Sequence, residues 1–128
     1  MSRDGVTLLI PAQPEYLLVV RLTAAGLANR MGLNIEEIED VKTAVAEACI
    51  MLMNQPWEME DITLDFRHAT DVFHATVQGT GKSDGETKDR EQENELSRYL
   101  LQALMDDATI QSEDGYIKSI SMQKKASF

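Results

Sequence analysis

The chain has 128 residues, 43% of them apolar, with 22 acidic against 12 basic side chains and a formal net charge of −10. That length suits a single domain with one core, here residues 1–128, and no run approaches the roughly 18 consecutive apolar residues of a membrane span. The negative charge repels phosphate backbones and argues against nucleic acid as a partner, whereas a basic protein surface would complement it.

Cys49 is the only cysteine and there are two histidines. These exclude a disulfide framework, and they cannot form a structural zinc site without other ligands. Cys49 reads as a small buried apolar residue on a helix. The opening stretch "MSRDGVTLLIPAQPEY" is a short strand-like run broken by two prolines, unlike a signal peptide, so a soluble cytoplasmic protein is expected.

Val6 to Ala12 predicts a first strand ended by Pro11, and Pro14 suits the first turn of a helix, where its missing donor is no loss. Leu17, Val20, Ala24, Leu27 and Met31 recur at intervals of three and four, predicting a helix from Pro14 to Met31 with Gly32 as its stop. Leu18, Leu22 and Ala25 widen that apolar surface, which leaves two readings: a second docking surface, or complete burial.

Asn34 predicts the cap of a second helix, with Glu37 reaching back from three residues on. The acidic run Glu36 to Asp40 suits the positive end of the helix dipole. Ile38, Val41, Val45, Ala48 and Leu52 form its buried stripe, and Pro56 forbids much continuation past Gln55. Glu47 interrupts the apolar run "AVAEACIMLM" and shares a helix line with Met51 and Asn54; a carboxylate there needs a cleft or a partner.

Two strands follow, Ile62, Leu64 and Phe66 alternating with Thr63, Asp65 and Arg67, then Phe73, Ala75 and Val77 alternating with His74, Thr76 and Gln78. Such alternation predicts an antiparallel sheet with one wet face, with His68 to Asp71 as the turn and His74 a solvated strand residue. Gly79 to Glu95 has no apolar residue and predicts a mobile loop, helical toward its end. Within it "GTGKS" imitates the end of a phosphate-binding loop. Thr76 stands where that loop needs its first glycine, and no apolar helix follows directly, so a turn after a strand is the better reading.

Leu96, Leu100, Ala103 and Leu104 predict a third helix up to Met105, and a closing hairpin turns at "EDGY" with Tyr116, Ile120 and Met122 on one face. The order predicts an α+β fold, a two-layer sandwich with the helices on one face of a mainly antiparallel sheet.

"VRLTAAGLANRMGL", "IEEIEDVKTAVAEA", "LLQALMDD" and the closing hairpin together resemble the anti-sigma factors with serine-protein kinase activity of bacterial partner-switching systems. These lie within the GHKL superfamily of histidine kinase-like ATPases, which share a Bergerat-type fold, and the resemblance covers nearly the whole chain. In that family the second helix carries a Glu, the general base toward a partner's serine, and four residues later an Asn that ligates the magnesium of ATP. The resemblance gives Glu47 the first position and Met51 the second. A thioether is a poor ligand for a hard cation, and Asn54 lies about 4.5 Å further along the axis. The family's Asp-x-Gly motif, whose Asp accepts from the adenine amino group, is matched by Val77, Gln78 and Gly79, with no acceptor at Val77. Its phosphate-binding glycine turn aligns with Asn94 to Ser97, keeping Leu96 and none of the glycines.

Losing one buried hydrogen bond costs about 1–3 kcal/mol, so losing contacts to metal, adenine and phosphate together would cancel most of a micromolar affinity of about 8 kcal/mol. The resemblance therefore implies a vestigial nucleotide site at Glu47, Met51, Asn54, Val77, Gly79, Leu96 and Ser97, filled by Met51, Met53 and Val77, with no bound cofactor or metal. It also implies a homodimer and a surface at Arg21, Glu36, Glu37 and Asp40 for a sigma factor or anti-anti-sigma factor. A solvent-facing charge remains an equal reading of Arg21. The rival expectation is an active kinase using ATP and Mg, with Glu47 as base and Asn54 recruited to the metal. A third is a dimerisation or sensor domain with a reshaped apolar pocket.

Overall fold

The computed structural model describes residues 5–55, 59–81, 91–113 and 115–127, with side chains described for all of these except 91–94. Strand β1 (Gly5–Pro11) turns Ile10 into the core and ends at its proline. Pro14–Tyr16 then forms one 3-10 turn, not the first turn of an α-helix, and α1 (Leu17–Met31) follows. Its buried residues are Leu17, Val20, Ala24 and Ala28. The stripe thus drifts to Ala28 and leaves Leu27 and Met31, expected on it, half-buried. Gly32 takes the left-handed conformation at φ 97°, where a side chain would be strained. In that position its amide donates to Asn29 O, and the amide of Leu33 to Ala28 O, both at 3.1 Å.

Helix α2 (Ile35–Met53) begins with the expected reciprocal cap: the Glu37 amide donates to Asn34 Oδ1 and the Asn34 amide to Glu37 Oε1, each at 2.8 Å. Val41, Ala44, Val45, Ala48, Cys49, Met51 and Leu52 are buried, so α2 is the central helix, packed between α1 and α3 (Glu91–Leu104). Burial pushes the Cys49 thiol up to about 12, since an uncharged environment disfavours the thiolate.

The sheet runs β1-β2-β3-β5-β4, antiparallel throughout, built from β2 (Asp61–Ala69), β3 (Val72–Thr80), β4 (Asp107–Glu113) and β5 (Tyr116–Lys125). Ile62, Leu64, Phe66, Phe73, Ala75 and Val77 face the helices, and their alternating neighbours lie on the wet face, as the period of two requires. The β2–β3 turn is tighter than expected: β2 continues through His68 and Ala69, leaving Thr70 and Asp71 to turn the chain.

Two apolar faces differ from expectation. On α3, Leu101 is fully buried, whereas Leu96 is 73% exposed and Ala103 is also exposed, because α3 turns its 97–101–104 line toward α2. On β5, a bulge at Lys118 changes the pairing from Gln111–Ser119 to Ser112–Ile117. The skipped residue reverses the alternation, so Ile117 enters the core while Tyr116 is only half-buried. The apolar-free segment expected to be a loop is strand as far as Thr80 and helix from Glu91; its residues 82–90 lie outside the described residues. No helix among the described residues is long and apolar enough to cross a membrane.

Candidate functional site

The outer end of α2, the end of β3 and the start of α3 hold most of the residues singled out above. Glu47 is half-buried where α2 meets α3, and the Ser97 hydroxyl donates to its Oε1 at 2.7 Å. That bond gives the carboxylate one donor from within the chain, and its half-exposed position leaves the rest to solvent, which is how an acidic residue is tolerated at the edge of an apolar helix face. One turn on, Met51 is 1% exposed and belongs to the core. Asn54 stands past the helix as its C-cap, exposed, its amide donating to Ile50 O at 2.9 Å.

Val77 is fully buried between Leu64 and Ile120 in the sheet register. Gly79 lies two residues on, opposite Ile62, and Met59 lies over it: a Cβ on Gly79 would collide with the Met59 sulfur and stand 2.6 Å from its Cε. The glycine is therefore needed for a close approach, and here the approaching group is the chain's own thioether. The structure thus brings Glu47 and Ser97 together and places Met51 and Val77 in one core, while Leu96 points away into solvent.

The residues that the resemblance places at the metal and adenine positions do not suit those groups. Met51 offers a buried thioether where a hard cation needs oxygen, Val77 offers no acceptor, and Met59 occupies the space above Gly79. Among the described residues no three His, Cys, Asp or Glu side chains are grouped to hold a metal ion.

Two residues here escaped the sequence reading. Met59 carries no local signal, being one apolar residue before a strand. Gln55 pins the end of α2 to the sheet, its Nε2 donating to Ile117 O at 3.0 Å and its Oε1 accepting from the Ile117 amide at 2.6 Å. A paired donor and acceptor on a helix-terminal Gln is the only hint sequence could have given.

The acidic start of α2 divides by exposure. Glu36 is exposed. Glu37, expected on an outward surface, is instead 8% exposed and used up inside the chain, since its Oε2 also accepts from the Ser127 amide at 2.9 Å. The backbone hydrogen bond from Asn34 holds its carboxyl below the ordinary range, with burial opposing and Ser127 and Lys124 assisting. Asp40 pairs with Lys124 Nζ at 3.1 Å, and the same ammonium donates to Leu104 O at 2.7 Å. Arg21 is half-buried on α1 and has no hydrogen-bond or ion-pair partner among the described residues. It lies between Leu18 and Leu22, which are 60% and 64% exposed.

Residues 10–124 match the family described as the histidine kinase-like ATPase domain. The chain is 34% identical to the serine-protein kinase RsbW of Bacillus velezensis over 131 aligned positions, covering 89% of this chain and 82% of the relative. It is 32% identical to that of Bacillus subtilis with the same coverage. To the serine-protein kinase RsbW of Oceanobacillus iheyensis it is 32% identical over 92% of this chain and 85% of the relative.

Proposed function

We propose, from the fact that this chain belongs to the histidine kinase-like ATPase domain family, that it acts as an anti-sigma-factor-like regulator in the cytoplasm, capturing a sigma factor or anti-anti-sigma factor without binding or hydrolysing ATP. The observation that carries the reading is the 2.7 Å hydrogen bond from Ser97 to Glu47. The Ser97 hydroxyl occupies Oε1, one of the two oxygens that a general base would offer to a partner's hydroxyl. Met51 one turn along α2 and Val77 on β3, both buried, and Met59 over Gly79, support the loss of nucleotide.

What the chain keeps is a surface. Arg21 between two exposed leucines near the start of α1 gives an apolar patch with a cation, and Glu36 and Asp40 give an acidic one at the start of α2; together they have the composition of a protein interface. The net charge of −10 favours a partner with a basic face. A homodimer is part of the proposal, supported by Leu9 and Val6, 63% and 42% exposed on the edge strand β1.

The test is thermal unfolding with and without millimolar magnesium ATP. A ligand at one hundred times its dissociation constant stabilises by about 2.7 kcal/mol, which is several degrees for a domain of this size. No shift is expected. A magnesium-dependent rise, with phosphate transfer to a serine partner that disappears in Glu47→Gln, would establish the kinase in its place. For the surface, Arg21→Glu is expected to weaken partner binding, and unchanged affinity by calorimetry would remove Arg21 from it.

A further inference from the structure

At the far end of the sheet from Gly79, an open-mouthed cavity of about 150 Å³ lies between the last turns of α1 and the β2–β3 hairpin. Phe73 opens β3 and Gly79 nearly closes it, so six residues, about 20 Å at roughly 3.3 Å per residue, separate this cavity from the site described above. Leu27 and Met31 from α1 and Phe66 and Phe73 from the sheet make its walls. The two phenylalanines are 2% exposed, with ring centroids 6.0 Å apart and planes tilted by 47°. Val6, Arg30, Arg67 and His68 complete the lining, and Arg30 and His68 are both exposed and without a hydrogen-bond or ion-pair partner among the described residues. Part of the Arg67 side chain also runs beside Gly5.

An apolar cavity of about 150 Å³ takes one benzene-sized ring. Met31 suits a flat aromatic occupant, since a thioether attracts a ring edge, while Phe66 and Phe73, each 2% exposed, close the floor of the cavity. The basic rim then selects charge. In a chain of net charge −10, an arginine with no acidic partner among the described residues, beside this hollow, is complementary to an anion. The negative end of the α1 dipole opposes this, but carries only about half a charge, and Gly32 and Leu33 already engage two of its terminal carbonyls. The Arg30 guanidinium supplies a full charge and a fork that matches a carboxylate.

We propose that this cavity binds a small aromatic monocarboxylate, its ring between Leu27 and Met31 over the Phe66–Phe73 floor and its carboxylate at Arg30 and His68. The site is independent of nucleotide, and through Val6 it adjoins the edge strand of the proposed homodimer.

Amide NMR shifts of the whole protein, titrated with phenylacetate, test it. Saturable shifts centred on Leu27, Met31 and Phe73 are expected, with binding weakened about tenfold in Arg30→Glu, the effect of one lost charge-assisted hydrogen bond. Leu27→Trp, which fills the hollow, should abolish binding; its thermal midpoint reports whether the fold survives, and Arg30→Glu, a surface change, carries the test if it does not. Benzyl alcohol, with the ring and no charge, should bind much more weakly, and so should acetate, with the charge and no ring. Absence of saturable shifts, binding retained in a folded Leu27→Trp, equal binding of benzyl alcohol, or acetate matching phenylacetate would each overturn the proposal.

Discussion

The Ser97 hydroxyl donates to Glu47 across 2.7 Å, joining the first turns of α3 to the middle of α2 through residues fifty positions apart. Ser97→Ala is expected to lower stability by about 1 kcal/mol, because a half-buried carboxylate loses its donor. Glu47→Gln retains an acceptor oxygen and should cost less. Urea denaturation of both single variants and the double variant measures the coupling, and strictly additive effects would show that the contact contributes nothing.

Gly79→Ala should destabilise by about 1 kcal/mol, at the low end of overpacking costs, because the atoms in the way are the flexible end of Met59. Met59→Ala in the same chain should recover most of that loss. A Gly79→Ala penalty that persists in the Met59→Ala background would place its origin elsewhere.

Glu37 gives the stability a defined pH dependence. Its carboxyl is held below the ordinary range in the folded chain, chiefly by the Asn34 amide, so the folded state binds fewer protons than the unfolded state in the acid range. Its stabilisation is complete above the unfolded value of about 4.3 and is lost as pH falls through the folded value. Glu37→Gln should flatten the stability profile over that acid window, and denaturant midpoints from neutral pH downward would show it. A profile as steep as that of the unmodified chain would assign the dependence to other carboxylates.

The elements legible in the sequence are those decided by neighbours a few residues away. The Asn34–Glu37 cap is written in two residues, and the inward faces of β2 and β3 in a period of two. Where two patterns compete, the sequence is ambiguous. On α3, Leu96, Leu100, Leu101 and Leu104 offer two overlapping apolar lines, and packing against α2 chooses the one through Leu101. The same limit applies at the site: Glu47 stands out as a carboxylate among apolar residues, but its partner Ser97, the Met59 side chain over Gly79 and the bulge that brings Ile117 inward depend on contacts between distant segments.

Thr70 has φ 58° at the first central position of the two-residue β2–β3 turn, where a β-branched residue is strained and glycine is favoured. Thr70→Gly should stabilise by about 0.5–1 kcal/mol, relief of strain exceeding the added chain entropy of the unfolded state. A lower thermal midpoint in the variant would contradict this.

The strand order also sets a folding schedule. The β2–β3 and β4–β5 hairpins close over short loops, whereas β1 must find a strand whose paired residues, Gly5 with Arg67 at the extreme, lie far along the chain, and β5 must reach back past α3 to β3. Loop closure is entropically costly before such pairings are rewarded, so topologies of this kind fold slowly. Amides of β2 and β3 should gain protection first in pulsed hydrogen exchange, and those of β1 last. The chain would then pass through an interval in which the outer edge of β2 lies bare, and it is in that interval, before β1 has docked, that it is most prone to aggregate.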